Sequence, residues 1–322
     1  MHDVRIHSVN QRRLVNLIST AAMLVLMLVS MFAHISILEL NNSNFSYGYS
    51  ACNCVIFVMD DIEDYGVNKV QIAVMNYFIS KNLPFTASII VSKLANSSSN
   101  LNVFHKIEEG VHKGLFEPVI HGYRHINHTL LSKEEQESDF AKAKGKLEYL
   151  FDKTPYVFIP PYNNFNSHTI EALSDLNISL MSSSPDEEQT TFNPYKLKTL
   201  VVTNDSKLQV SRVSDQKPLV YHVPYTFSIF AMHRERELFG DNLVQEALRQ
   251  INESIANYGY AQVRLHPFDF ALSGAEGSLI NQVDNKRFQE LTKIVDYLLE
   301  RNIRIASFRD ILPPSPSTKP SL

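Results

Sequence analysis

Tryptophan is absent from this 322-residue chain, and cysteine occurs only twice, at Cys52 and Cys54. Two cysteines are too few for a disulfide framework or a four-thiolate zinc site. They read as small apolar residues leading into a strand, the alternative being a C-x-C pair that is oxidised or binds metal. An excess of one charge is also lacking: 30 Lys and Arg stand against 34 Asp and Glu, for a net charge of -4. Nucleic-acid binding normally needs a basic face, so the sequence predicts no nucleic-acid partner. Hydrophobic residues make up 44% and charged residues 20%, ordinary values for a globular protein with a sizeable core. No internal repeat is visible.

The N-terminal region supplies a long apolar run. Leu14–Leu38 contains no Asp, Glu, Lys or Arg, and about 20 such residues suffice to cross the hydrocarbon layer of a bilayer. Arg5, Arg12 and Arg13 precede it. The positive-inside rule therefore predicts a cytoplasmic N-terminus (1–13), an uncleaved transmembrane signal anchor (14–38) and an exported remainder. A cleavable signal peptide would be shorter and end in a small-x-small site, which the stretch around Met31 and Ala33 matches poorly. A polar stretch (39–53) reads as a linker. Asn-x-Ser/Thr sequons, such as those at Asn96 and Asn127, permit but do not require an exported chain. The proline-rich tail (313–322) is expected to be disordered.

Residues 54–312 alternate strand and helix signals. Val55–Met59 is a short continuous apolar run, the pattern of a strand buried on both faces. Val67–Lys81 has helical spacing, and Ser132–Leu150 opens on a Ser-x-x-Glu capping box. Further strands are predicted at Phe85–Val91, Pro118–Ile120, Tyr156–Ile159, Ile178–Met181, Leu219–Val223, Ala261–His266 and Ile303–Ala306. Helices are predicted at Leu101–His112, His168–Leu176, Asn242–Tyr258 and Lys286–Arg301. Repeated βα units imply a parallel sheet, open or closed into a barrel. Ser182–Lys217, polar and irregular, reads as a long insertion or lid.

Polar clusters fall at the predicted strand ends. Asp60 and Asp61 end the first strand; two adjacent carboxylates fit a metal ligand beside a proton acceptor, although alone they also fit a solvated acidic turn. His121, His125 and His128 follow another strand, and histidines four apart in a turn can converge on one ion. Pro160 and Pro161 make a rigid loop edge before Tyr162. Period-two alternation puts Gln262, Arg264 and His266 on one face of a late strand.

In this order, strand-Asp-Asp, Glu117-x3-His121-x3-His125, Pro-Pro-Tyr162 and Leu265-His266 resemble the polysaccharide deacetylase family, which includes chitin and peptidoglycan deacetylases. The resemblance runs from about Cys54 to Asp310. It implies an α/β fold, a distorted (β/α) barrel, preceded here by the transmembrane helix. It assigns Asp60 as general base and His266 as general acid. Asp61, His121 and His125 would be the metal ligands, and Tyr162 would bind product and, through its backbone N–H, the oxyanion. The implied cofactor is a divalent metal, zinc first, with cobalt, manganese or nickel as alternatives. The implied substrate is an acetylated glycan. Three departures stand out. Ile62 replaces the usual Gly, Ile159 replaces the arginine that pairs with the base, and no aspartate–tryptophan motif is recognisable. Arg264 is the expected substitute partner for Asp60, the alternative being a structural pair with Asp269. Two rival readings are a hydrolase of another amide bond in the same barrel, and an inactive sugar-binding surface protein.

Overall fold

The computed structural model describes residues 52–96, 101–184, 211–212, 220–234 and 242–311. The expected anchor (14–38), the tail (313–322) and most of the expected insertion lie outside the described residues. Among the described residues no helix is long and apolar enough to cross a membrane.

The sheet is built around β1 (Cys54–Ile62). Its alternate side chains divide between two apolar clusters. Val55, Phe57 and Met59 pack with the helices, whereas Cys54, Ile56 and Val58 join Val119, Val157, Leu180 and Tyr260 on the other face. Parallel strands β2 (Phe85–Ile89), β3 (Phe116–Ile120), β4 (Val157–Phe158) and β5 (Leu180–Met181) follow in sequence order on one side of β1. β6 (Ser211–Arg212) is an antiparallel addition to β7 (Tyr221–His222). On the other side β1 pairs from Cys54 to Met59 with β9 (Tyr260–Leu265), while its first three residues pair, on the β2 side, with β12 (Arg304–Ala306).

The two flanks of this sheet are joined by one segment that changes partner. Tyr221 and His222 pair with β5, while Phe227 and Ser228, which form β8, pair with β9. Tyr225 N–H still bonds to Ser183 O at 3.0 Å, and Thr226 N–H bonds to Gln262 O at 3.1 Å. Pro224, which has no N–H to give, sits just before the switch. The result is a curled, mainly parallel α/β sheet of half-barrel form, with the segment 221–228 bonded to both flanks.

Helices α1 (Asn68–Ser80), α2 (Asn102–His112), α3 (Lys133–Phe151) and α4 (Ser167–Asp175) connect the early strands. The predicted capping box opens α3: Ser132 Oγ accepts from Glu135 N–H, and Ser132 N–H donates to Glu135 Oε2 at 2.8 Å. α5 (Ile229–Arg234), α6 (Leu243–Tyr258) and α7 (Asn285–Glu300) complete the outer layer. Four pieces were not predicted from the sequence: β6, β8, the short α5, and an antiparallel hairpin of β10 (Ala271–Ser273) and β11 (Leu279–Val283). Each is too short to show a period.

The reading of the cysteines is corrected. Cys52 and Cys54 are joined in a disulfide, their Cα atoms 5.1 Å apart. Asn53 between them has φ +43, and this left-handed turn brings the two side chains to one side of the chain. Asparagine tolerates that backbone better than most residues.

Candidate active site

In parallel α/β folds the side chains at the carboxyl ends of strands meet over the sheet. Here those ends carry Asp60 and Asp61 (β1), His121 (after β3), Tyr162 (after β4), Arg264 (β9) and His266 (after β9).

Strict alternation would send Asp60 and Asp61 to opposite faces. A register shift between Met59 and Ile62 interrupts the pairing of β1 with β2, and Asp61 adopts φ +59. Such irregularities re-aim a side chain at the rim of a sheet. Asp60 stays buried, while Asp61 Oδ1 reaches His121 Nε2 at 3.2 Å and His125 Nε2 at 3.0 Å.

His121 is fixed by the neighbouring strands. Its N–H donates to Ile89 O at 2.9 Å, and its Nδ1 donates to Ile159 O at 2.8 Å, leaving Nε2 to face Asp61. Ile159, which stands where the related pattern has arginine, therefore contributes through its carbonyl. Gly122 then turns the chain back towards the site. It has φ +75, and a Cβ there would lie 2.5 Å from Arg124 O, so only glycine fits. His125 returns beside His121, with ring centroids 5.1 Å apart, and packs against the Tyr162 ring at 4.6 Å.

His128 does not join this group. It is fully buried, with Nε2 3.1 Å from Asp139 Oδ2 on α3. Asp139 also accepts from Tyr123 N–H at 2.8 Å, so the pair braces the loop carrying His125. Nothing in the sequence separates a brace from a ligand, because both are histidines close behind a strand.

Asp60 and Arg264 form a buried pair: Arg264 Nε lies 3.3 Å from Asp60 Oδ2, an ion pair without hydrogen-bond alignment. Asp60 Oδ1 is buried and has no hydrogen-bonding partner among the described residues. Asp269 belongs instead to His266. It accepts the His266 N–H at 2.6 Å and lies 3.5 Å from its Nδ1. The His266 ring stacks on Phe268, with centroids 4.6 Å apart. Burial alone would lower the His266 pKa, but Asp269, Asp60 and Asp61 together raise it above the ordinary value. Burial likewise works to raise Asp61, yet the hydrogen bonds of His121 and His125 hold it far below the carboxylate range. His222 is pushed down to about 4 by burial and by the charge of Arg264, and its ring is neutral at physiological pH.

Asp61, His121 and His125 each offer one ligand atom, and these atoms lie within 4.8 Å of one another. The donor set fits a divalent metal. It is one carboxylate and two imidazoles, with the His121 tautomer fixed by a carbonyl as is usual for a ligating histidine. A cation and a proton are alternative occupants of the space between His121 Nε2 and Asp61.

Carboxylates and histidines thus meet at the carboxyl ends of a curled parallel sheet, an arrangement whose chemistry suits hydrolysis. Residues 50–181 match the polysaccharide deacetylase family model. The fold is similar to that of a candidate polysaccharide deacetylase from Mycobacterium smegmatis, at 15% identity and a TM-score of 0.54, covering 83% of this chain and 94% of that one. It is also similar to a mutant, with restored enzymatic activity, of a CE4 family pseudoenzyme from Bacillus anthracis. That match has 13% identity and a TM-score of 0.50, and covers 80% of this chain and 67% of the other. At these identities the likeness concerns the fold alone. No curated protein matches the chain in sequence.

Proposed function

We propose that the chain is a divalent-metal-dependent deacetylase that removes N- or O-acetyl groups from a polysaccharide outside the cytoplasmic membrane, to which residues 14–38 anchor it. The observation that carries this reading is the convergence of Asp61, His121 and His125 beside the buried Asp60–Arg264 pair. A metal held by those three ligands, zinc being well suited to the donor set, would polarise the acetyl carbonyl and acidify a water.

The remaining work falls to the chain's own groups. Asp60, oriented by Arg264 and with Oδ1 unpartnered, takes a proton from the attacking water. His266, whose affinity for a proton Asp269 helps to raise, gives a proton to the departing sugar nitrogen or oxygen. The resemblance assigns the Tyr162 N–H to the developing oxyanion. Tyr162 is 44% exposed and packs on His125, a position open to substrate. Products are acetate and a free amino or hydroxyl group.

Three features support the extracytoplasmic placement: the uncharged run Leu14–Leu38, the arginines before it, and the Cys52–Cys54 disulfide, which suits an oxidising compartment. The presence of Arg264 beside Asp60 weighs against the inactive sugar-binding reading. Acetate release from a panel of acetylated glycans, with and without chelator, tests the proposal. Chelator-sensitive release is expected. Release of no acetate from any member, with retained glycan binding, would favour the binder. Cleavage of other amides alone would favour a different amidase.

A further inference from the structure

Arg264 is gripped from several directions. Nη1 donates to Asn163 Oδ1, Nη2 donates to Ser182 O at 3.3 Å, and Nε faces Asp60. The Tyr225 ring lies against the guanidinium, 4.2 Å from Cζ to its centroid. Most of these contacts come from main chain or from side chains set by the sheet. Ser182 N–H bonds to Phe158 O and Tyr225 N–H to Ser183 O, each at 3.0 Å. Asn163 is different: it comes from the turn Pro161–Asn163 and reaches Arg264 across 101 residues of sequence.

That turn is strained in a specific way. Tyr162 and Asn163 have φ +61 and +59 in succession, a left-handed conformation that disfavours most residues and that asparagine tolerates. Backbone tolerance alone would explain an asparagine, and glycine would satisfy it better. The side chain adds something glycine lacks, an acceptor placed on the guanidinium fork. An arginine has five donors in a rigid plane. Removing one acceptor from a buried fork leaves a donor unsatisfied and the plane free to rotate.

We propose that Asn163 is a positioning residue that, with Ser182 O and the Tyr225 ring, fixes Arg264 so that its Nε faces Asp60. The catalytic consequence rests on the reading of Asp60 as the base; the grip on Arg264 does not. The turn that presents Tyr162 to His125 thereby also orients Asp60, linking both sides of the reacting carbonyl through one short segment.

Asn163→Gly is the informative deletion, because glycine keeps the left-handed backbone. In the full chain it should lower kcat about tenfold with KM unchanged, and it should have no further effect in an Arg264→Met background. Asn163→Asp, which restores an acceptor, should recover the ordered guanidinium. A readout independent of activity is the rate at which phenylglyoxal labels Arg264, followed by peptide mass spectrometry. The rate should rise about tenfold in Asn163→Gly and return towards wild type in Asn163→Asp. A wild-type labelling rate in Asn163→Gly overturns the proposal, as does a kcat loss that persists undiminished in the Arg264→Met background. A wild-type chain inactive on every acetylated glycan overturns the deacetylase reading instead, and the labelling rates then decide the role of Asn163 alone.

Discussion

Strand β3 carries Glu117 near its start and His121 just past its end, both buried, and the two surroundings differ in kind. At the lower end every demand of Glu117 is met. Tyr156 OH donates to Oε1, Phe308 N–H donates to Oε2 at 3.1 Å, and Arg309 lies 3.6 Å away. At the upper end Asp60 Oδ1 and His266 Nδ1 have no hydrogen-bonding partner among the described residues, and Asp61, Tyr162 and Asn163 hold left-handed backbones. A closed polar network rigidifies a fold; an open one beside strained backbone marks where a ligand completes it. Residue type therefore does not separate the two ends. Glu117 fits the spacing of the histidine motif as well as His125 does, yet it belongs to the structural end.

The contrast breaks most visibly in kinetics. Asp60→Asn and His266→Ala should each lower turnover by about 10²–10⁴-fold, with metal content retained in Asp60→Asn. Near-normal rates in both variants would remove the acid–base assignment. Arg264→Met comes next. It leaves Asp60 buried without a cation, so kcat should fall about 10- to 100-fold, and unfolding stability should drop by about 3 kcal/mol. Denaturant titration that finds wild-type stability would mean the pair is not buried as described.

Asp269→Asn is a finer probe. Asp269 helps to raise the His266 pKa, so the variant's ring should lose its proton at lower pH. The alkaline limb of the pH–rate profile should move down while the acidic limb stays. An unmoved alkaline limb would detach Asp269 from the acid.

The smallest effect belongs to the closed end. Burial raises the Glu117 pKa above the ordinary 4.5, against the opposing pull of Tyr156, Arg309 and the Phe308 N–H. The native state then holds this proton more tightly than the unfolded chain does. Stability from this group is full below pH 4.5 and is lost as pH rises through the folded value. Glu117→Gln should flatten that part of the stability curve and leave kcat untouched. A Tm that declines with pH as steeply as in wild type would contradict the assignment.

How far the sequence could be read follows from range. Strand β1, the α3 capping box and the alternation of Gln262 and Arg264 are local patterns of period or spacing, and the structure has them close to the predicted positions. The face of Arg264 was legible, and the departure at Ile159 made Asp60 its expected partner. The grip of Asn163 on that arginine joins residues 101 apart and left no local trace. His128 and His125 look alike in sequence, since what distinguishes them is Asp139 on a helix that packs later. The Cys52–Cys54 disulfide depends on the left-handed Asn53, a backbone state that composition does not encode.

Zinc X-ray absorption on the metal-loaded full chain, beside a His121→Ala/His125→Ala variant, tests the central claim most directly. Two nitrogen ligands at about 2.0–2.1 Å, with oxygen completing the shell and no sulfur, together with loss of bound metal in the double variant, is the predicted result. Equal metal content in both proteins, or a sulfur shell from Cys52 and Cys54, would contradict it.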